Sequence, residues 1–476
     1  MRHPSLRRPS RRRALALTLP AGLAGLLGLA ACTSDEPAPT GSTSPSGTGT
    51  APVLPASPID PTPTVEGVPA PTVVGTDLRL PLEMTIMIVA RPGWAAPTQQ
   101  LDGMFLGYAT DADALRFIAV GEDGTIAWTA RRPLACTGFA LSRTEDDRAV
   151  AVLADLAAST GDEADGDGSG SGSGSGSGDG SEPDAVGVAT TVTGYDLATT
   201  ESLWGPVDVP GPQAAPGLVF APPSDQPMGA GRKRVALSAT TGEVAMAEAD
   251  LGGGRIIAEH LGTILHTDGE QLVAVSATDG ARQWDLDLPS GVDPSRLHVV
   301  GEVSPDTSLA VIGGAGDAGS SSPGGGSGPD GSSGPGGDAA GAGDGLLVDL
   351  RDGRVITERV SAVAHDLATE VTVVVAGAVV TGLDPDGTER WRHVDVEPLQ
   401  LVSAGERLAY AVRPTEGTLV VLDTLQGLMV QPYDADVTGT LGMPETFNAA
   451  AATAVRFGDE RYLVTTTLDE SFGMRT

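Results

Sequence analysis

Glu122-Asp123-Gly124-Thr125-Ile126-Ala127-Trp128 is the first copy of a pattern that returns along this sequence. An aspartate precedes a glycine, and a tryptophan follows the glycine by four positions. The pattern recurs in Thr278-Asp279-Gly280-Ala281-Arg282-Gln283-Trp284 and in Pro385-Asp386-Gly387-Thr388-Glu389-Arg390-Trp391. A degenerate copy runs from Tyr195 to Trp204, with Thr200 at the glycine position. A recurring tryptophan in one setting indicates a repeat protein rather than isolated surface turns.

Three further copies keep the turn and lack the tryptophan, and their glycines are Gly242, Gly353 and Gly427. In these copies an alternating strand leads into an Asp or Ser whose side chain can bond the backbone ahead. A glycine that can take positive φ follows. These features predict a β-hairpin, with the tryptophan, where present, on the outgoing strand. We therefore predict seven hairpins in series.

The copies are evenly spaced once two low-complexity blocks are set aside. The blocks, residues 158–185 and 314–345, interrupt β-rich sequence, so we expect exposed loop insertions. Without them the turns lie about 40 residues apart, which is the length of a four-stranded propeller blade. We predict an all-β fold in which residues 76–476 form a β-propeller, with eight blades favoured and seven as the alternative. The eighth blade would combine C-terminal strands, residues 451–457 and 461–467, with N-terminal strands around residues 78–90.

The strand, aspartate, glycine and tryptophan pattern resembles the tryptophan-docking repeat of pyrroloquinoline-quinone-like (quinoprotein-like) β-propellers over most of residues 100–430. In that family the tryptophan of one blade packs on the turn of its neighbour. The resemblance implies a structural, blade-docking role for Trp128, Trp204, Trp284, Trp391, Gly124, Gly242, Gly280, Gly353, Gly387 and Gly427.

The same family includes quinone-dependent dehydrogenases, which bind the quinone and Ca²⁺ in the propeller funnel. Adjacent cysteines are common in those enzymes and are lacking here, and the only lysine, Lys233, lies in a charged turn. The histidines have no spacing that would bring them to one metal ion. We therefore expect no cofactor, no metal site and no catalytic residues.

The N-terminal residues predict export and attachment to a membrane. An arginine-rich stretch, residues 7–13, precedes the apolar run from Ala14 to Leu29, as is typical of a signal peptide. The next residues, Leu29-Ala30-Ala31-Cys32, resemble the lipobox of bacterial lipoproteins, in which the cysteine receives a diacylglycerol. We expect a lipoprotein signal peptide at residues 1–31 and lipidation at Cys32. The arginines leave both Sec and twin-arginine export open.

Residues 32–75 are dominated by Pro, Thr, Ser and Gly, a composition that cannot bury enough apolar surface to fold. We predict a disordered stalk that holds the propeller away from the membrane. Beyond Cys32 the chain has one more thiol, Cys136, in an apolar strand-like setting. An intrachain disulfide is therefore not expected in the mature protein, and Cys136 is predicted to be a buried, inert thiol.

The net charge of the chain excludes nucleic acid as a partner. The chain has 62 acidic and 29 basic residues. Six arginines and no acidic residue lie in the first 31 positions, so the remainder carries a net charge of −39. That field repels nucleic-acid phosphates and anionic lipid headgroups. The bias toward arginine over lysine suggests an actinobacterial source.

These features together predict a non-enzymatic, lipid-anchored propeller on the extracytoplasmic side of the cell membrane. It would act as a platform for an envelope protein or a small ligand that the sequence does not identify. The alternative is an enzyme, either a quinone-dependent dehydrogenase or one acting on polysaccharides, with its site in the propeller funnel.

Overall fold

A computed structural model describes residues 59–158, 188–222, 233–290, 292–301, 303, 306–314 and 345–468. These residues form eight antiparallel sheets and four short 3-10 helices. The predicted eight-bladed, all-β propeller is thus confirmed. The signal peptide, most of the predicted stalk and most of both low-complexity blocks lie outside the described residues. Within the described part of the chain, no helix is long and apolar enough to span a membrane.

The strands are numbered along the chain. The N-terminal strands are β1 (Thr64–Pro69), β2 (Thr72–Val73) and β3 (Met87–Trp94). Blade 1 contains β4 (Gln99–Leu101), β5 (Met104–Thr110), β6 (Leu115–Gly121) and β7 (Thr125–Arg132). Blade 2 contains β8 (Phe139–Arg143), β9 (Ala149–Ala158), β10 (Val188–Asp196) and β11 (Ser202–Val209). Blade 3 contains β12 (Gln213–Ala215), β13 (Val219–Phe220), β14 (Val235–Leu237) and β15 (Val244–Ala247).

Blade 4 contains β16 (Ile256–His260), β17 (Thr263–Asp268), β18 (Gln271–Ser276) and β19 (Arg282–Asp287). Blade 5 contains β20 (Leu297–Val300), β21 (Leu309–Gly314), β22 (Gly345–Asp349) and β23 (Val355–Val360). Blade 6 contains β24 (Ala362–Asp366), β25 (Val371–Ala376), β26 (Val379–Leu383) and β27 (Glu389–Val394). Blade 7 contains β28 (Gln400–Gly405), β29 (Leu408–Arg413) and β30 (Thr418–Asp423). The last strands are β31 (Met443–Phe447), β32 (Thr453–Phe457) and β33 (Glu460–Leu468), and the 3-10 helices span Gly75–Asp77, Leu82–Met84, Glu248–Asp250 and Pro294–Arg296.

Blade 8 closes the ring with strands from both ends of the described chain. Its order is β2-β3-β33-β32-β31, so the N-terminal strand β3 pairs with the C-terminal strand β33. The first strand of the blade, β31, contacts β4 of blade 1, as β4 contacts β8 of blade 2. This mixed closure agrees with the sequence prediction and explains why only seven hairpin turns are visible, since β33 and β3 are far apart in sequence.

Two details of the N-terminal region differ from the prediction. Residues 78–86, expected to be strand, instead carry the 3-10 helix Leu82–Met84, and Pro81 forms an isolated bridge with Tyr433. Residues 64–69, which the sequence assigned to the stalk, form β1. This strand pairs with β7 and is the fifth, outermost strand of the blade 1 sheet. The predicted stalk boundary at residue 75 is therefore wrong. The cause is that β1 needs a partner strand about 60 residues away, which a local composition does not reveal.

Blade 7 has three regular strands. Its fourth position is taken by the segment after β30, joined through an isolated bridge between Leu422 and Met429 and a bond from Val430 N to Val421 O. Pro432 cannot donate a backbone hydrogen bond, so the segment does not continue as a regular strand.

The two ends of the ring differ in what they carry. Turns between the third and fourth strands of the blades lie at one end, here called the hairpin end. Because strands in each sheet alternate in direction, the β9–β10 and β21–β22 connections lie at the opposite end, here called the insert end. Both low-complexity blocks interrupt these connections, although residues 158, 314 and 345 at their predicted edges belong to strands.

The core lies between neighbouring blades. One apolar cluster joins Leu265 and Leu272 of blade 4 to Leu297 and Ile312 of blade 5. Each sheet is thus covered on both faces by its neighbours, which is why the alternating strands of this sequence are rich in Val, Leu and Ala on both sides.

Candidate functional site

All four repeat tryptophans lie near the start of a fourth strand, and each indole reaches the next blade. The Nε1 donors and their carbonyl acceptors are Trp128 to Leu197 (2.7 Å), Trp204 to Ala239 (2.7 Å), Trp284 to Leu350 (2.9 Å) and Trp391 to Thr424 (2.6 Å). None of these side chains is more than 8% exposed. A buried indole N–H requires an acceptor, and the neighbouring turn supplies it. The indoles therefore join blades 1 to 2, 2 to 3, 4 to 5 and 6 to 7.

Three repeat glycines lie directly under an indole of the preceding blade. A Cβ added at Gly242, Gly353 or Gly427 would come within 2.4 to 2.6 Å of Trp204, Trp284 or Trp391 respectively. Gly124, Gly280 and Gly387 have a different environment. A Cβ added at Gly124 would lie 3.0 Å from Thr465, and one added at Gly387 would lie 3.3 Å from Ile356. A Cβ added at Gly280 would have no neighbouring atom within 4 Å. All six have positive φ, but only the first three also need the space.

Two further glycines contact these tryptophans from within the same blade. Gly194 and Gly382 lie directly across the sheet from Trp204 and Trp391, and a Cβ there would come within 2.3 and 2.2 Å of the indole. Neither glycine belongs to the turn pattern of the repeat. A glycine inside a predicted strand, followed by a tryptophan on the next strand, is the sequence signal that could have identified them as indole contacts.

The fifth tryptophan, Trp94, also went unassigned. It is fully buried at the insert end of β3, and its Nε1 donates to the carbonyl of Ile118 at 3.0 Å. Trp94 therefore joins the closing blade to blade 1, at the end of the ring opposite to the other four indoles.

Glu259, at the end of the inner strand β16, has a fully buried carboxylate that joins three blades. Its oxygens accept hydrogen bonds from Ser142 Oγ (2.7 Å), Gly262 N (2.7 Å) and Leu218 N (3.0 Å). Burial raises the pKa of Glu259, and the three donors oppose that effect. Its lone pairs are directed at protein donors, so the group acts as a joint between blades 2, 3 and 4.

Asp366 ends β24 in the corresponding place of blade 6. Its Oδ2 accepts from Thr424 Oγ1 (2.6 Å), Thr369 Oγ1 (2.7 Å) and Arg407 N (3.0 Å). Its Oδ1 accepts from Ala368 N at 3.0 Å. This carboxylate is saturated by donors from blades 6 and 7.

A polar contact crosses the channel mouth at the hairpin end. Gln100 lies on the inner strand of blade 1, and Asp306 lies on the first connection of blade 5, on the opposite side of the ring. With the Gln100 amide oriented to satisfy both of its groups, its nitrogen donates to Asp306 Oδ2 at 3.3 Å. Burial, together with the nearby Asp102 carboxylate, raises the pKa of Asp306, and Arg143 opposes this. Arg143 is itself paired with Asp102.

A buried carboxylate forms a tightly held ion pair at the insert end. Arg413 binds Asp395 through both carboxylate oxygens, Nε to Oδ1 at 2.9 Å and Nη2 to Oδ2 at 3.0 Å. The Arg413 guanidinium is the largest cause of a lowered Asp395 pKa, about 2. His393 Nε2 lies 3.6 Å from the same carboxylate. The pair lies between the outer strand of blade 6 and β29 of blade 7.

The remaining candidate residues do not converge. Within the described part of the chain, no three His, Cys, Asp or Glu side chains are arranged to hold a metal ion. Cys136 is buried, and burial raises its pKa to about 12. Burial also lowers the pKa of His260, with Arg351 contributing, to about 4. Lys233 is exposed before β14. Leu29, Ala30, Ala31 and Cys32 lie outside the described residues.

Solved structures similar to this chain are propellers of varied function. BamB from Moraxella catarrhalis is 12% identical, covers 79% of this chain and 95% of its own, and has a TM-score of 0.40. The β-propeller domain of Cps50 (Swd1) from Myceliophteria thermophila is 10% identical, with 79% and 97% covered and a TM-score of 0.35. A europium-containing methanol dehydrogenase is 8% identical, with 76% and 83% covered and a TM-score of 0.35. No protein-family profile matches the chain, and no curated protein sequence matches it.

Proposed function

We propose that this chain is a non-enzymatic, lipid-anchored extracytoplasmic β-propeller that serves as a protein-interaction or ligand-binding platform in the bacterial envelope. The observation that carries the proposal is the use of the inner-strand carboxylates. Glu259 and Asp366 are buried acids near the ends of the inner strands β16 and β24, and their oxygens accept hydrogen bonds from neighbouring blades. These two carboxylates therefore hold neighbouring blades together, and we place the binding surface for partners on the outside of the ring.

The anchor proposal rests on the lipobox-like residues before Cys32 and on the place where the described chain begins. Twenty-six residues separate Cys32 from Ile59. At no more than about 3.3–3.6 Å per residue, a chain of that length spans at most about 90 Å. A lipid on Cys32 would therefore keep the ring within reach of proteins embedded in the same membrane.

Anchoring is tested by comparing the natural chain with Cys32→Ser in cells fed an alkyne-labelled fatty acid. We expect the natural chain to take up label and to sediment with membranes, and the variant to do neither. Cys136→Ser is the matched control, because that thiol is buried in the ring, and it should label and sediment like the natural chain. Label retained after Cys32→Ser would disprove the anchor.

The platform is tested separately by crosslinking in intact cells, with calorimetry on the purified ring. We expect a reproducible envelope partner or ligand, and no heat of binding on titration with pyrroloquinoline quinone plus Ca²⁺. Tight quinone binding, or oxidation of an alcohol by the loaded protein, would favour the dehydrogenase instead. Hydrolysis of an envelope polysaccharide would favour an enzyme that acts on polysaccharides.

A further inference from the structure

The fifth strand of blade 1, β1, buries almost none of its side chains. Every residue of β1 is exposed, including Val65 (66%) and Val68 (46%). The strand pairs with β7 from Thr64 opposite Thr129 to Pro69 opposite Thr125, with a register shift at the positive-φ residue Gly67. Backbone pairing, rather than side-chain burial, thus holds β1 in place. Segments with so little burial have low free energies of local opening.

A buried arginine holds the chain just before β1. Arg132 Nη1 donates to the carbonyl of Pro61 at 2.7 Å, and Tyr195 OH lies 3.4 Å from the same oxygen. The Arg132 side chain is 1% exposed, and its nearest carboxylate oxygen, on Asp155, is 3.9 Å away. A buried guanidinium keeps its charge and needs acceptors, and Pro61 supplies one from outside the ring. Pro63, two residues after the exposed Pro61, is buried.

The β7 edge and Arg132 together have the two parts of a strand-addition site. The strand edge pairs with the backbone of any extended segment, and Arg132 binds the carbonyl that lies two residues before the buried proline Pro63. The outer edge of β1 is less suited to pairing, because prolines flank it and Gly67 interrupts its register. Removal of residues 59–69 leaves all five strands of blade 8 in place, so exposing β7 does not open the ring.

We propose that the outer edge of blade 1 is a strand-addition site, occupied in the isolated protein by residues 59–69 and available to an extended, proline-containing segment of an envelope protein that displaces them. This inference rests on the proposed function as an interaction platform and gives that platform a location. The chain's own segment, Pro61-Thr62-Pro63-Thr64-Val65-Glu66, indicates the chemistry of the ligand.

The test locks β1 in place. In a chain complete except for Cys32→Ser, the changes Thr64→Cys and Thr129→Cys put two thiols at directly paired positions. Cys136 will not compete for the disulfide, because it is buried and its pKa is raised to about 12. The probe is a fluorescent synthetic peptide with the sequence of residues 59–70, followed by anisotropy. Near-ultraviolet circular dichroism confirms that both forms are folded.

We expect the reduced protein to bind the peptide saturably and the oxidised protein to bind it at least tenfold more weakly. A shorter peptide, residues 64–70, lacks the Pro61 carbonyl and should bind the reduced form at least fivefold more weakly than the full peptide. Equal binding to the oxidised and reduced forms, or no binding to the reduced form, would overturn the inference.

Crosslinking in cells, with Thr64→Cys and Thr129→Cys placed in a chain that keeps Cys32, separates this inference from the proposed function. A partner captured by the unlocked form and lost from the locked form supports the site. A partner captured equally by both overturns the site and leaves the platform standing. If neither form captures a partner, the proposed function fails and the inference fails with it.

Discussion

Trp391 and Thr424 are joined across the boundary between blades 6 and 7, with the indole Nε1 2.6 Å from the threonine carbonyl oxygen. The hydroxyl of the same threonine donates to Asp366 at 2.6 Å. One turn residue therefore connects an outer-strand indole of blade 6 to the inner-strand carboxylate of that blade. These two hydrogen bonds of Thr424 fix the position of blade 7 against blade 6.

The space beneath the indoles can be measured with two alanine substitutions. Gly427 (φ +68°) and Gly280 (φ +70°) have matching backbones, but only Gly427 lies under a tryptophan. Gly280→Ala should cost about 1 kcal/mol, the penalty for a side chain in the left-handed region. Gly427→Ala should cost about 3 kcal/mol, because overpacking is added. Urea unfolding checks both values, and equal losses would show that the indole does not need the space.

Replacing Glu259 by glutamine should lower the stability of the protein without changing its fold. In Glu259→Gln the amide can keep the bonds from Ser142 and Gly262 only by turning its NH₂ toward the N–H of Leu218. We expect a loss of about 1–3 kcal/mol, since one buried donor is left unsatisfied.

Glu201→Gln is the matched control for that joint, because Glu201 lies exposed in a turn, and we expect less than about 0.5 kcal/mol there. Denaturant unfolding measures both variants. A Glu259→Gln protein as stable as the natural chain would contradict the role of this carboxylate as a joint.

The Asp395–Arg413 pair predicts a pH dependence in the acid range. The pKa of Asp395 is lowered in the folded protein to about 2, below its value of 3.8 in an unfolded chain. The stabilising contribution of Asp395 is therefore present above about pH 4 and is lost as pH falls toward 2. Asp395→Asn should be less stable than the natural chain at pH 7, and the difference should narrow at pH 2.5. Thermal melts at the two pH values measure it, and a difference independent of pH would refute the prediction.

Cys136 is predicted to be unreactive in the folded protein. Its thiol is buried and its pKa is raised to about 12, so almost no thiolate exists at pH 8. Iodoacetamide should leave Cys136 unmodified in the native Cys32→Ser protein and alkylate it fully in 6 M guanidinium chloride. Mass spectrometry reads the result, and rapid alkylation of the native form would show that this part of blade 2 opens readily.

Sequence predicted the parts of this structure that are local. The turns at Gly124, Gly280 and Gly387 each lie within ten residues of the strands they connect, so periodicity and turn chemistry were enough to predict blades and their number. Counting predicted a closing blade built from both ends of the chain, although residues 78–86 are not strand and the inner strand β31 was not predicted. The glycine positions were visible, but which of them lie under an indole depends on the preceding blade.

Long-range relations were not predicted. Gln100 meets Asp306 across the channel mouth, and β1 pairs with a strand about 60 residues away. Neither has a local signal, and Pro61-Thr62-Pro63-Thr64 resembles a flexible spacer until its partner strand is in place. Trp94 was missed because it lies outside the glycine spacing that identified the other four tryptophans.

The closing blade has a consequence for release from the cell surface. The strands of the eight sheets that the structure describes all lie between Thr64 and Leu468. If Cys32 carries the proposed lipid, a protease that cuts before Ile59 would release all of these strands on one fragment, with β3 still paired to β33. A cut between β3 and β4 would instead separate the N-terminal strands of the closure from the chain that follows them. Under the proposed anchor, one cut before Ile59 would thus be enough to convert a membrane-attached propeller into a released one with its closing blade intact.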